Sequence, residues 1–407
     1  MNGIRLRLRL CLLMFLLYAP SGAVLPLYSD YLQEQLHFSS MGIAVCCATQ
    51  ALGTICASLA AGHVADRWIP AQRLLGLCAL VAGLDLWLLA ELTQPVAVFF
   101  GTLLYWLLTG PMWMLGASIG LSHLKQPERQ FGPVRLWGTV GWMVSAWLVS
   151  YWFQDADWLR PAIGWLRPER PISERADLFR LGGLLAFALM AYTLTLPHVA
   201  ARPNRHDGLA PLAALQLLRG RQFFVYALCF LGVCVTFAFT TQGTPLLLRQ
   251  LGTAEADLPA ILTIAQAAEA ICLARLPWLL RRLDVRGTVL AGLIALTATL
   301  AVQALAPSRY LVAAALAFNG LVIAGVFVAG QIFVNGRVHD GLRASVQSLL
   351  TFLSGIGLLV GNLLFGALRR WADGRLQPAF AAGAVFMALL VLVFVAGFRK
   401  PPNAARA

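Results

Sequence analysis

Two carboxylates stand inside long apolar stretches of this 407-residue sequence: Glu269, near the middle of the stretch 257–280, and Asp85, past the centre of 74–92. A charged side chain at the centre of a bilayer costs about 2.5–3.5 kcal/mol on insertion scales, so each is a candidate for function. Gln266 precedes Glu269 by three residues and shares its helical face. A medium of low dielectric favours the neutral form of a carboxyl, so such a group can take up and release a proton as well as hydrogen-bond a solute. Glu269 therefore reads as a proton carrier or a substrate ligand, with a structural partnership to Arg135 or Arg275 as the alternative. For Asp85 a proton-coupling role stands beside a helix-packing hydrogen bond.

A second pattern lies in the run Phe131-Gly-Pro-Val-Arg135-Leu-Trp-Gly-Thr139-Val-Gly-Trp142. Arg135, Thr139 and Trp142 are spaced i, i+4, i+7 and form one helical stripe. A cation, a hydroxyl and an indole on one face suit a polar, planar ligand. Gly138, Gly141 and Ser145 beside the stripe let a neighbouring helix approach closely. The alternative for Arg135 is an anchor at the helix end. Gln50, Gln242, Gln331 and Asn362 are further polar residues in apolar surroundings, and read first as packing glue.

Other chemistries are excluded. The only lysines, Lys125 and Lys400, do not end a GxxxxGK[ST] loop, so this chain carries no phosphate cradle for an ATP-driven pump. The eight cysteines lie inside apolar runs without CxxC or Cys/His spacing, and read as small packing residues; neither metal nor cofactor is expected. A membrane enzyme would need a catalytic cluster in a sizeable loop. The candidate loop, about 154–177, has five acids alternating with Arg but no His or Cys.

The elements that must carry these residues follow from composition. Charged residues make up 12% of the chain, apolar ones 59%, and the mean hydropathy is +0.74. Soluble domains carry about twice that share of charge. The expected class is an all-α membrane protein. Twelve apolar runs approach the ~20 residues a span needs: 9–29, 41–64, 74–92, 96–122, 134–153, 178–197, 223–248, 257–280, 288–306, 311–335, 344–368 and 378–398. The N-terminal run has the basic start of a signal peptide but continues too far, and is taken as an uncleaved first span. Most Arg falls on one side if both termini are cytoplasmic, as the positive-inside rule requires. The exception is the loop with Arg160, Arg167, Arg170, Arg175 and Arg180. Net charge is +13, with the Arg at span ends, so nucleic-acid binding is not implied. A polar linker at 201–221 separates two six-span halves, 1–200 and 222–407. Their faint self-similarity, at an offset of roughly 210 residues, fits the parallel repeats of secondary transporters.

After span 2 comes Gly62-His-Val-Ala-Asp66-Arg67, then Arg73. This resembles the loop 2–3 signature of the major facilitator superfamily, G-x3-D-[RK] followed by basic residues, with Arg281-Arg282-Leu283-Asp284 as a degenerate second copy. More narrowly, Phe131-Gly-Pro-Val-Arg-Leu-Trp-Gly-Thr-Val-Gly141, Gln266-Ala-Ala-Glu269, Leu194-Thr-Leu-Pro197-His198 and Leu342-Arg343-Ala-Ser-Val-Gln347 are similar to the nucleoside:proton symporters of that superfamily. The resemblance implies the major facilitator fold in a bacterial inner membrane, a nucleoside and H⁺ as cargo, alternating access, and a monomer. It implies substrate contacts from Arg135, Thr139, Trp142, Gln266 and Glu269, with Asn319 in span 10 where the family has a Tyr. Two departures stand out. The family's span 7 amides fall at Thr236 and Phe239 here, and its span 10 Tyr and Phe at Asn319 and Ile323. Symport of sugars or aromatic acids, or export of apolar compounds, therefore stays open.

Overall fold

The computed structural model describes residues 3–60, 70–124, 127–153, 174–196, 220–336 and 343–398, and regular structure among them is entirely helical. A bilayer leaves no other choice short of a closed barrel, because every backbone N–H and C=O must be satisfied within its own segment. Among the described residues, eight helices are long and apolar enough to cross a membrane. One of them, Glu255–Leu305, has 51 residues, enough to cross twice. Its helical part, Leu258–Leu305, breaks at Asp284, where φ is 55° and ψ −178°. The spans expected at 257–280 and 288–306 are therefore joined by a kink rather than a loop. Asp tolerates the left-handed region better than most residues. Its carboxylate accepts the Gly287 N–H at 2.8 Å, which caps the second segment.

The chain divides into two compact units, Met1–His206 with Thr253–Thr263, and Asp207–Gly252 with Ile264–Ala407. Residues 201–219 of the expected linker lie outside the described residues, and the helix of span 7 begins at Arg221.

In the first unit, span 1 (Gly3–Glu34) packs on span 5 (Pro127–Phe153) and span 6 (Asp177–Thr193). Span 3 (Ala71–Leu89) packs on span 6 and on span 4 (Pro95–His123). Apolar tails solvate Leu as well as protein does, so membrane helices associate through close packing at small residues. The span 1–span 5 crossing shows this. A Cβ on Gly141 would collide with the Phe15 carbonyl, and one on Gly22 with the Trp142 carbonyl.

The same unit holds two arginines of the Arg-rich exception in ion pairs. Arg180, only 3% exposed, pairs with Asp177 at 2.8 Å and with Glu91, at the end of span 3, at 2.6 Å. Trp152 donates to the second Asp177 oxygen at 2.7 Å. Arg175 pairs with Glu255 at 2.7 Å. Two further bonds hold the Thr253–Thr263 segment to span 5: Trp147 donates to the Thr263 hydroxyl at 3.0 Å, and the Ser150 hydroxyl to the Ala256 carbonyl. Removing one member of a buried ion pair costs about 3–5 kcal/mol, because its partner stays buried and charged. Arg180→Leu is therefore expected to lower the thermal unfolding midpoint in detergent by several degrees or more, whereas Arg175→Leu, nearer the surface, moves it little.

In the second unit, span 7 (Arg221–Gln250) packs on Arg343–Trp371 and Gln377–Gly397. Gly361 meets the Val235 carbonyl, and Phe365 lies 5.2 Å from Phe239 and 5.5 Å from Phe380. The tenth span departs from the uniform helix that its apolar run suggests. It runs from Arg309–Ala315 through a 3-10 turn at Leu316–Phe318 and a short helix at Asn319–Val322 into a π-helical stretch, Ile323–Ala329, and ends in Gly330–Asn335. The Tyr226 hydroxyl donates to the Val326 carbonyl inside that stretch at 2.9 Å. Such widened turns are often found at functional sites.

Candidate functional site

The helix of span 5 begins at Pro127, earlier than hydropathy suggests. Arg135 thus sits about 12 Å along the helix, two turns inside it rather than at its first residue. Arg135, Thr139 and Trp142 are half-buried, while Leu136 and Trp137 beside them are exposed. The helix that approaches the glycine side of the stripe is span 1. It brings Tyr18 against Arg135, whose guanidinium carbon lies 4.0 Å from the ring centre. Among the described residues Arg135 forms no hydrogen bond or ion pair, so its N–H donors await an acceptor. Tyr18 stacks on Trp113 of span 4, with centroids 5.2 Å apart and 12° between planes, and Trp113 meets Trp106 edge-on at 6.0 Å. The Trp113 indole N–H is buried without a partner.

In the second unit, Glu269 lies about 16 Å along its helix from Leu258, close to half the thickness of a hydrocarbon core. Glu269 and Gln266 are both half-buried, and the Gln266 carbonyl oxygen is buried without a partner. A Cβ on Gly320 would collide with the Ala268 carbonyl. That close crossing sets Asn319 and Glu269, the chain neighbours of Gly320 and Ala268, at one level on adjacent helices. Asn319 is half-buried and opens the short helix between the 3-10 turn and the π-helical stretch of span 10.

The two span 7 positions that replace the family's amides are committed to packing. The Thr236 hydroxyl donates to the Gly232 carbonyl at 2.9 Å, and Phe239 is buried against Phe365. Gln242, one turn beyond, is 2% exposed and leaves both amide atoms unpartnered. Asn362 donates back to the Leu358 carbonyl at 2.8 Å, as packing glue does.

Asp85 is 5% exposed and its Oδ2 has no partner, so no helix-packing bond fills that oxygen. Gly62, Asp66 and Arg67 lie outside the described residues; Arg73 is exposed in the first turn of span 3. No group of three or more metal-ligating side chains occurs among the described residues. The sequence reading missed Tyr18 and Trp113. The available signal was Pro20 and Gly22 in span 1, which mark a close helix approach near Tyr18 without naming its partner.

The chain is similar to known transport proteins. The profile of the family described as Nucleoside H+ symporter matches residues 4–403. The xanthosine permease of Escherichia coli (strain K12) is 27% identical over 423 aligned positions, covering 96% of each chain. The nucleoside permease NupG of the same organism is 23% identical over 385, covering 89% of this chain and 87% of its own. The crystal structure of nucleoside transporter NupG superposes with a TM-score of 0.82 at 21% identity, covering 98% of this chain and 100% of that one. A bacterial homologue of the lysosomal transporter Spinster, at 14% identity, gives 0.79 and covers 99% and 100%.

Proposed function

Since the chain belongs to the nucleoside H+ symporter family, we propose which of its residues handle the substrate and the proton. It is a secondary active transporter of the major facilitator fold, not an enzyme, and performs proton-coupled uptake of nucleosides. In our reading the nucleoside contacts are Arg135, Thr139, Trp142, Gln266, Glu269 and Asn319. Glu269 carries the coupled proton, and Asp85 is a second proton-bearing carboxyl. Gly62, Asp66, Arg67 and Arg73 form the gating loop. The protein works as a monomer in the lipid bilayer of the inner membrane, with both termini cytoplasmic.

One observation carries the reading: a half-buried guanidinium, held against an aromatic ring, with no protein acceptor among the described residues. Donors that no protein group engages can exchange water for a polar ligand. The test is uptake of labelled nucleoside into proteoliposomes, with competition by purine and pyrimidine nucleosides, sugars and aromatic acids. Nucleosides are expected to compete at concentrations where the other two classes do not. Competition by sugars or aromatic acids alone would overturn the proposed substrate contacts.

A further inference from the structure

We propose that Tyr18 is the positioning residue for Arg135, fixing the plane of its guanidinium for the substrate; the proposal rests on Arg135 contacting the nucleoside. Three features carry it. The guanidinium carbon lies 4.0 Å from the Tyr18 ring centre, a separation that suits a guanidinium lying on the ring rather than pointing a nitrogen at it. The ring is itself held in place. Trp113 stacks on it at 5.2 Å, and Ser21, three residues on in span 1, hydrogen-bonds Tyr105 of span 4 at 2.9 Å in the buried interior. Space for the pair is cleared by Gly138, where a Cβ would stand 2.6 Å from Tyr18 Cδ2 and 2.8 Å from Arg135 Nη1. Any side chain at 138 would push the stack apart.

A guanidinium resting on a π-face keeps its N–H edge free in its own plane. That edge is a rigid fork, suited to two acceptors lying in one plane, as ring and carbonyl atoms of a planar solute do. Without the ring, the long Arg side chain samples many rotamers, and ordering it again would be charged to substrate binding. Tyr18 thus acts on affinity through Arg135 and needs no contact with the solute.

The experiment replaces Tyr18 with phenylalanine and then with mono-, di- and trifluorinated phenylalanine. These keep the shape of the ring while draining the negative face that attracts the cation. KM for labelled nucleoside is measured in proteoliposomes for each, in the native and the Arg135→Ala background. Tyr18→Phe is expected to stay within about twofold of native. KM should then rise stepwise with fluorine to about five- to thirtyfold, the equivalent of ~1–2 kcal/mol for a partly desolvated pair, with the rate at saturation little changed. In the Arg135→Ala background the series should be flat. A flat series in the native background, or an equal rise in both, overturns the role of Tyr18 and leaves that of Arg135 standing. An unchanged KM in Arg135→Ala alone overturns the reading of Arg135 and the proposal with it. Tyr18→Leu adds a coarser check, and the fluorinated series decides the matter even if that variant does not fold.

Discussion

Proteoliposomes carrying Glu269→Gln are expected to exchange nucleoside across the membrane but not to accumulate it when a pH or voltage gradient is imposed. The substitution keeps the size and hydrogen-bonding reach of the side chain, so the substrate contact proposed for it survives in part. It removes the group able to gain and lose a proton. One proton moving through 100 mV supplies about 2.3 kcal/mol, which supports an accumulation of about fiftyfold. The accumulation ratio should therefore fall from tens to about one, while counterflow of labelled against unlabelled nucleoside continues. Placement supports the expectation: Glu269 stands about 16 Å into its helix and is half-buried, at a depth where a carboxylate is rare and reads first as functional. Unchanged accumulation in the variant would remove Glu269 from the coupling step. The same assay on Asp85→Asn addresses the second carboxyl; lost accumulation with intact counterflow is the outcome expected of a proton-bearing site.

Arg135→Ala is expected to raise KM by about ten- to a hundredfold, the range for a lost hydrogen bond to a charged group at ~1.5–3 kcal/mol. Stability should change little, since among the described residues no hydrogen bond or ion pair of the protein is broken; what is lost is the contact with Tyr18. Arg135→Lys is the informative companion. It restores the charge but not the planar fork, and an ammonium is a compact, strongly hydrated point charge. Recovery of much less than half of the lost affinity, on a logarithmic scale, would show that geometry rather than charge is being read. Uptake kinetics with unfolding midpoints as a folding control provide the check. Full affinity in Arg135→Ala would send the search for the first unit's contact to Thr139 and Trp142.

The bilayer made much of the fold legible in the sequence. Apolar runs of span length have few alternatives once backbone bonds must close internally, and the major facilitator fold followed from the loop signature and the run count. Span edges were less visible. The helix of span 5 starts at Pro127, ahead of the polar residues Glu128, Arg129 and Gln130, because helices continue through the headgroup layer where hydropathy no longer reports them. Nor did composition announce the kink at Asp284 or the π-helical stretch Ile323–Ala329, which depend on how neighbouring helices press on the backbone. At the site, the stripe of Arg135, Thr139 and Trp142 was readable because its members are local. Tyr18 was not: it comes from another helix, and no periodicity links positions so far apart in the chain. The span 7 substitutions show the reverse limit. Register placed Thr236 and Phe239 where ligand contacts were sought, and only packing revealed that both serve the interior, with Gln242 as the amide left over.

The eleven-residue stretch Thr253–Thr263 follows the linker in the chain yet belongs to the first compact unit, tied there through Trp147, Ser150 and Arg175. A gene cut at the linker would consequently encode an amino-terminal fragment missing a piece of its own wall. Such a fragment, made alone, would present two hydroxyl and indole bonds and a guanidinium with no counterpart. Complementary fragments produced together would have reason to find each other at that seam, which makes it a natural place to follow assembly of a split transporter.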